Sequence, residues 1–370
     1  MLKDQDDNCV IPRGSLEFEQ EFLVKCPRKS DHEGMVQSLK SLFSRQSWFS
    51  IFAALFVVVA TAHIAFGATG WEAAWPKTDF KKHSVPLDEI SSGGPGKDGI
   101  PAIDDPEFKP LSEIPEQHVP ADTEPVITLK IDGKGRAYPL RILMWHEIVN
   151  DRFGGVPVAV TYCPLCNSAI VFDRRVGGRV LDFGTTGNLR NSDLVMYDRQ
   201  TESWWQQFIG EAIVGEMTGT RLKAIPARVE SFARFKKRFP KGDVLVPPKG
   251  VWRAYGVNPY EKYDSSFRPF LYRGKTPEGI APLAYVLVVG KEAWTLDLIR
   301  KSGRIEKDEL VITWSPGQNS ALDSGQIATG RDIGNIVVQR KTGSGLVDAV
   351  HDLTFAFTFH AFHPDGMLHK

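Results

Sequence analysis

The chain has 370 residues, 42% hydrophobic and 24% charged, with 45 basic residues against 45 acidic ones. This is the composition of a folded protein rather than a disordered one, and the length suits one large domain or two ordinary ones. A formal charge of zero removes the sequence-level case for a nucleic-acid partner.

Residues 1–34 are polar and read as a cytoplasmic extension or as an overcalled start upstream of Met35. The run from Trp48 to Phe66, "WFSIFAALFVVVATAHIAF", holds no formally charged residue and nearly matches the length of a bilayer-spanning helix. Lys40 and Arg45 precede it without a carboxylate, a flank that stays cytoplasmic while the rest crosses. Residues 35–67 therefore read as a single transmembrane anchor or as a signal peptide, since Ala65-Phe66-Gly67 before Ala68 resembles a cleavage site. Either reading makes the remainder extracytoplasmic, in the periplasm, at the cell surface or secreted, with a membrane contact through 48–66 if the run is retained. Cys9 and Cys26 then fall on the cytoplasmic or absent side, leaving Cys163 and Cys166 as the only thiols of the exported part.

Residues 68–120 form a Pro/Gly-rich lead-in, and 121–370 the globular exported domain. In the lead-in, Lys97 follows Gly96 without a Ser or Thr after it, which argues against a phosphate loop. Asp104-Asp105 lacks the alternation of a calcium loop. From Pro125 onward, "PVITLKIDGKGRAYPLRIL" predicts a hairpin around "DGKG". "RILMWHEIVNDRFGG" predicts a short helix ended by glycines, and "VPVAVTY" a strand. "SAIVFDRRVGGRVLDFG" and "SDLVMYDRQTESWWQQF" each predict two strands about a turn, with one of Trp204 and Trp205 in the core and the other on a pocket wall. Phe232, Phe235 and Phe239 space an amphipathic helix over about 229–239, with Lys236-Lys237-Arg238 on its solvated face. The last hundred residues predict short strands, including "AWTLDLI" and "FAFTFHAF". The fold class expected is β-rich α+β: short strands and hairpins with a few short helices, behind one N-terminal apolar helix.

The chemistry centres on "CPLC", residues 163–166. A disulfide there closes too small a loop to constrain the unfolded chain strongly. The following residues, "NSAIVFD", suit a strand rather than the helix N-terminus that activates thioredoxin-type thiols. No second Cys-x-x-Cys exists to complete a zinc ribbon, so a metal needs nitrogen or oxygen as well. His146 and His363 are the candidate imidazoles, giving a set suited to zinc or copper; an odd separation within a strand would turn His360 away from His363. Glu147, Asn191 and Asp193 are candidates for acid–base or hydrogen-bonding roles, with strand or turn capping as the alternative for Asn191, Ser192 and Asp193. Three functions fit: a metal-binding exported protein acting on an unidentified small molecule, a thiol–disulfide oxidoreductase using Cys163 and Cys166, and a non-catalytic surface module binding a ligand through aromatic strands.

The blocks "GGPGKDGIPAIDDPEF", "AYPLRILMWHEIVND", "VPVAVTYCPLCNSAIVFDR", "NSDLVMYDRQTESWWQ" and "AFHPD", in that order, resemble the prokaryotic family called domain of unknown function 3179. The resemblance runs from about residue 80 to the end. It implies membership of an uncharacterised family whose chains often carry an N-terminal signal or anchor. The family's Trp-His-Glu, Cys-Pro-x-Cys, Asn-Ser-Asp and His-Pro blocks fall on His146, Cys163, Cys166, Asn191, Asp193 and His363. Arg190, where the family has an aromatic, and His360, where it has a small or apolar residue, depart from it.

Overall fold

The computed structural model describes residues 70–370. The 1–34 extension, the apolar run 48–66 and Cys9 and Cys26 lie outside the described residues. Among the described residues the chain is β-rich, with many short strands and four seven-residue α-helices: Leu140–His146, Phe232–Arg238, Leu296–Ser302 and Ala356–Phe362. None of these is long and apolar enough to cross a membrane.

Local turn chemistry sets most of the hairpins. Asp132 and Gly133, both at positive φ, join Pro125–Ile131 to Lys134–Pro139. Gly154 and Gly155 do the same between Ile148–Phe153 and Val156–Cys163. Such two-residue turns match the right-handed twist of the strands they connect. The second hairpin continues into Ser168–Asp173 and then Lys223–Ile225, giving a four-stranded antiparallel sheet. A five-stranded antiparallel sheet follows, ordered Ile90–Ser92, Phe183–Arg190, Asp193–Asp198, Trp204–Gln206, Glu211–Val214. Its neighbouring strands are also neighbours in sequence, apart from the first.

Residues from the lead-in cover one face of this second sheet. Trp71, Trp75 and Phe80 place their rings 4.9, 5.2 and 5.3 Å from Trp204, all edge-on. Lys97 reaches the Glu202 carboxylate at 2.8 Å. Gly93 N–H donates to Gly187 O at 2.7 Å. Gly187 sits at φ +76°, where a Cβ would come 1.9 Å from Pro95 O, so only glycine permits this approach.

Three segments depart from expectation. "RILMWHEIVND" is not one helix: it stops at His146, Glu147 turns to φ +58°, and Ile148–Phe153 is a strand. The β-branched pair Ile148-Val149 and the Gly-Gly turn beyond it favour pairing with Val156–Cys163 over continued helix. "AWTLDLI" splits in the same way: after the strand Glu292–Thr295, Thr295 caps the helix Leu296–Ser302 by accepting from Leu298 N–H. "FAFTFHAF" is mostly helix, Ala356–Phe362, so strand alternation does not govern His360 and His363. Its apolar residues Ala356, Phe357 and Phe359 are buried around the helix, a pattern that short apolar runs share with strands.

Candidate functional site

Two hairpin tips meet at the site. The first closes at the pair Cys163 and Ser168, leaving Pro164–Asn167 as the loop; Pro164 cannot donate to a ladder, and Asn167 takes φ +51° to re-enter the sheet. The second closes at Arg190 and Asp193 around Asn191 and Ser192, at φ +53° and +62°. That turn normally favours glycine, and Asn is the side chain that best tolerates it. With Glu147, these make four residues in sparsely populated backbone conformations around one site, a concentration typical of functional positions.

The tips bring Cys163, Cys166 and Asp193 together. One ligand atom from each lies within 4.8 Å of the other two, and all three residues are buried. Cys166 Sγ donates to Asp193 Oδ1 at 2.9 Å, and Cys163 Sγ makes a longer contact, 3.9 Å, with Ser192 O. Asp193 Oδ2 accepts from Gln206 Nε2 at 2.6 Å and from Phe208 N–H at 2.9 Å. From a third sheet, the strand Asp352–Phe355 fixes the cysteine loop. Thr354 Oγ1 donates to Cys166 O at 2.6 Å, Asn167 Nδ2 donates to Leu353 O at 2.8 Å, and Asp352 Oδ1 accepts from Ala169 N–H at 3.0 Å.

The electrostatics of the group are unusual. Asp193 is 0% exposed, its hydrogen-bond donors are all neutral, and no basic side chain pairs with it among the described residues. Burial pushes its carboxyl up to about 6. Burial also raises both thiols, Cys166 well above the ordinary range. A buried carboxylate without a compensating cation is costly. A dication held between the three groups would supply that charge and draw the protons off both sulfurs. A tetrahedral zinc with sulfur at ~2.3 Å and oxygen at ~2.0 Å sets those two ligands roughly 3.5 Å apart, so the donor set fits such an ion after a small opening of the Cys166–Asp193 contact.

The chemistry that points to an ion thus comes from sulfur and carboxylate, and neither expected imidazole joins it. Both ring nitrogens of His146 are engaged elsewhere: Nδ1 with Pro101 O and Nε2 with Tyr255 Oη, each at 2.8 Å. His363 packs its ring against Phe208 and Phe359, with centroids 5.9 and 5.6 Å away. Asn191 forms the turn and Asp193 the contact, so the Asn-Ser-Asp run brings the Asp193 carboxyl beside the two cysteines.

A family model described as a protein of unknown function (DUF3179) matches residues 97–366, most of the chain and all of this site. The chain belongs to the DUF3179 family. No curated protein and no solved structure matches it. The DUF3179 match spans the Trp-His-Glu, Cys-Pro-x-Cys and Asn-Ser-Asp blocks, and the structure shows what two of them do together: they are the two hairpin tips.

Beside the group lies a cavity of about 390 Å³, within the usual range for small-molecule sites. Glu147 lines it, 7% exposed, with its carboxyl pushed up to about 8 by burial and then by the nearby Asp193. Tyr260 and Tyr263 form part of its wall, and Tyr263 Oη donates to Leu165 O at 2.9 Å. Both tyrosines come from the irregular segment after residue 246. Nothing in its local pattern tied them to the cysteines; the tyrosine density there is the only sequence signal. Among the described residues, Trp204 and Trp205 are not part of this cavity's wall. Both are 0% exposed, Trp204 within the lead-in aromatics and Trp205 donating through Nε1 to Asp198 Oδ2 at 2.9 Å.

The raised Glu147 carboxyl has a measurable consequence. An acid whose folded pKa exceeds its unfolded one stabilises the fold at low pH and loses that contribution as pH climbs. For Glu147 the window runs from the ordinary value of 4.5 to about 8. In chelator-treated protein, stability is expected to fall through this window with a slope of up to roughly 1.4 kcal/mol per pH unit. Burial likewise raises Asp193 to about 6 and Asp352 to about 7, so Glu147→Gln, neutral throughout, should flatten the slope above about pH 7, as measured by denaturant titrations at successive pH. Parallel curves for the two proteins would refute a protonated, buried Glu147.

Proposed function

We propose that this DUF3179 protein is an exported or membrane-anchored metalloprotein in which Cys163, Cys166 and Asp193 hold a zinc-class ion beside a small-molecule cavity. The observation that carries the reading is the buried Asp193 carboxylate, held within 4.8 Å of two buried sulfurs and paired with no basic side chain among the described residues. Three protein ligands leave a tetrahedral ion one further position, as catalytic zinc sites do. Bound there, the ion would act as a Lewis acid on a water or carbonyl oxygen. Glu147, lining the adjoining cavity and holding its proton near neutral pH, supplies an acid–base group for the same substrate.

The carboxylate oxygen in the set favours zinc over copper(I), which prefers an all-soft environment. Thiol–disulfide exchange fits less well, because it needs an accessible, acidified thiolate and burial raises both thiols here. Binding through the tryptophans fits less well still, since both are sealed in the core.

Full-length protein purified from cells supplied with zinc and copper together is expected to retain about one zinc per chain. Metal-free protein carrying a Cys163–Cys166 disulfide that exchanges with a small thiol would overturn the metal reading in favour of the redox one.

A further inference from the structure

The cavity beside the cysteines has one carboxyl and one guanidinium among the residues lining it, at opposite degrees of exposure: Glu147, buried, and Arg268, exposed. The Glu147 carboxyl has no hydrogen-bond partner among the described residues, although the residue is 7% exposed. Its oxygens are not sealed away from solvent, so they are left to the cavity that the residue lines. Arg268 is in no ion pair among the described residues, and its neighbour Pro269 is buried, which anchors the segment carrying it to the cavity rim. Leu165, Leu189 and Leu194, with the Tyr260 ring, give the space between them an apolar lining. A largely apolar lining that carries a buried carboxyl at one point and an exposed cation at another is a template for a ligand's shape and charge.

We propose that this cavity binds a small organic anion with an apolar body, its acidic group on Arg268 and an oxygen acceptor at its far end facing the Glu147 carboxyl. This names the substrate class of the site and rests on the metal reading only for the ion beside it; binding of the anion needs no metal. The bound ligand gives the Glu147 carboxyl, which has no protein partner among the described residues, a hydrogen bond inside the cavity. It also brings a polar oxygen next to the Cys163–Cys166–Asp193 group. Arg268 selects for charge and the leucines for length.

The test is calorimetric titration of the full-length chain with three ligands of equal length: octanoate, its ω-hydroxy derivative and octylammonium. The expected order is ω-hydroxyoctanoate, then octanoate, with octylammonium weakest. Arg268→Gln should weaken both carboxylates roughly tenfold, the loss of one charge-assisted contact. Glu147→Leu should erase the advantage of the hydroxyl group while keeping octanoate binding. Metal content measured on the same samples separates the two claims. A metal-free chain that shows this order and these losses leaves the anion site standing without the ion. A zinc-loaded chain that binds octylammonium as well as octanoate, or that is indifferent to Arg268→Gln, overturns the anion site. Indifference to Arg268→Gln is also the result for a carboxylate bound head-first to the ion. Binding seen only on vesicles of anionic lipid, and never with monomeric octanoate, overturns it as well and assigns Arg268 and the exposed Phe267 to a membrane surface.

Discussion

The double variant Cys163→Ser, Cys166→Ser is expected to retain no zinc after purification, where the parent retains it. Serine is close in volume to cysteine, but a neutral hydroxyl is a poor zinc ligand, whereas the thiolate is a strong one. The loss should also appear in stability. With free zinc at about a hundred times the dissociation constant, the parent gains ~2.7 kcal/mol over its metal-free form, and the double variant gains nothing. Cys163→Ala and Cys166→Ala, which avoid burying a new hydroxyl, provide the control for folding. If either pair of variants melts as the metal-free parent does while zinc no longer raises the transition, the sulfurs are ligands. Equal zinc content in parent and variants would place the ion elsewhere.

Asp193→Ala has the second large effect, and it acts on the fold as well as on the ion. The side chain is completely buried and serves three donors at once: Cys166 Sγ, Gln206 Nε2 and Phe208 N–H. Removing it strands the Phe208 N–H, leaves Gln206 Nε2 with only its 3.5 Å contact to Arg190 O, and opens a small cavity at the junction of two hairpins. Losses of this kind run to about 3–5 kcal/mol when a buried charged or polar partner is deleted. Asp193→Asn retains the volume and one acceptor oxygen, so it should keep most of the stability while losing the negative charge that holds a cation. The comparison is read from denaturation midpoints at constant slope, together with metal content. An alanine variant as stable as the parent would mean that Asp193 does not hold the two tips together.

The hairpins were legible because their information is local. Asp132-Gly133 and the proline between the cysteines each specify a turn within a few residues, and the flanking alternation supplies the strands, whereas Gly154-Gly155 read as the end of a helix and in fact joins two strands. The absence of a thioredoxin-type helix after Cys166 was legible for the same reason: "NSAIVFD" pairs along Val156–Cys163 as a strand. Seven-residue helices were not, since "RILMWHEIV" and "FAFTFHAF" are too short for a 3.6-residue period to be told from a buried strand.

The candidate site was half legible. Cys163, Cys166, Glu147 and Asp193 stood out by residue type, and the structure gathers all four around one cavity wall and its underlying group. Which residue completes the sulfurs depends on how two non-adjacent hairpins dock, and no local pattern encodes that. Chemical habit pointed to imidazole, whereas His146 is held by Pro101 and Tyr255 and the group beside the sulfurs is the Asp193 carboxyl. The positive-φ turn at Asn191-Ser192 was the available hint, because a two-residue hairpin turn fixes Asp193 at the first paired position of its strand.

X-ray absorption at the zinc edge of the full-length protein examines the proposed centre most directly. Two sulfur scatterers near 2.3 Å with oxygen near ~2.0 Å is the spectrum that Cys163, Cys166 and Asp193 require. A shell of nitrogen and oxygen alone, with no sulfur, would contradict the account.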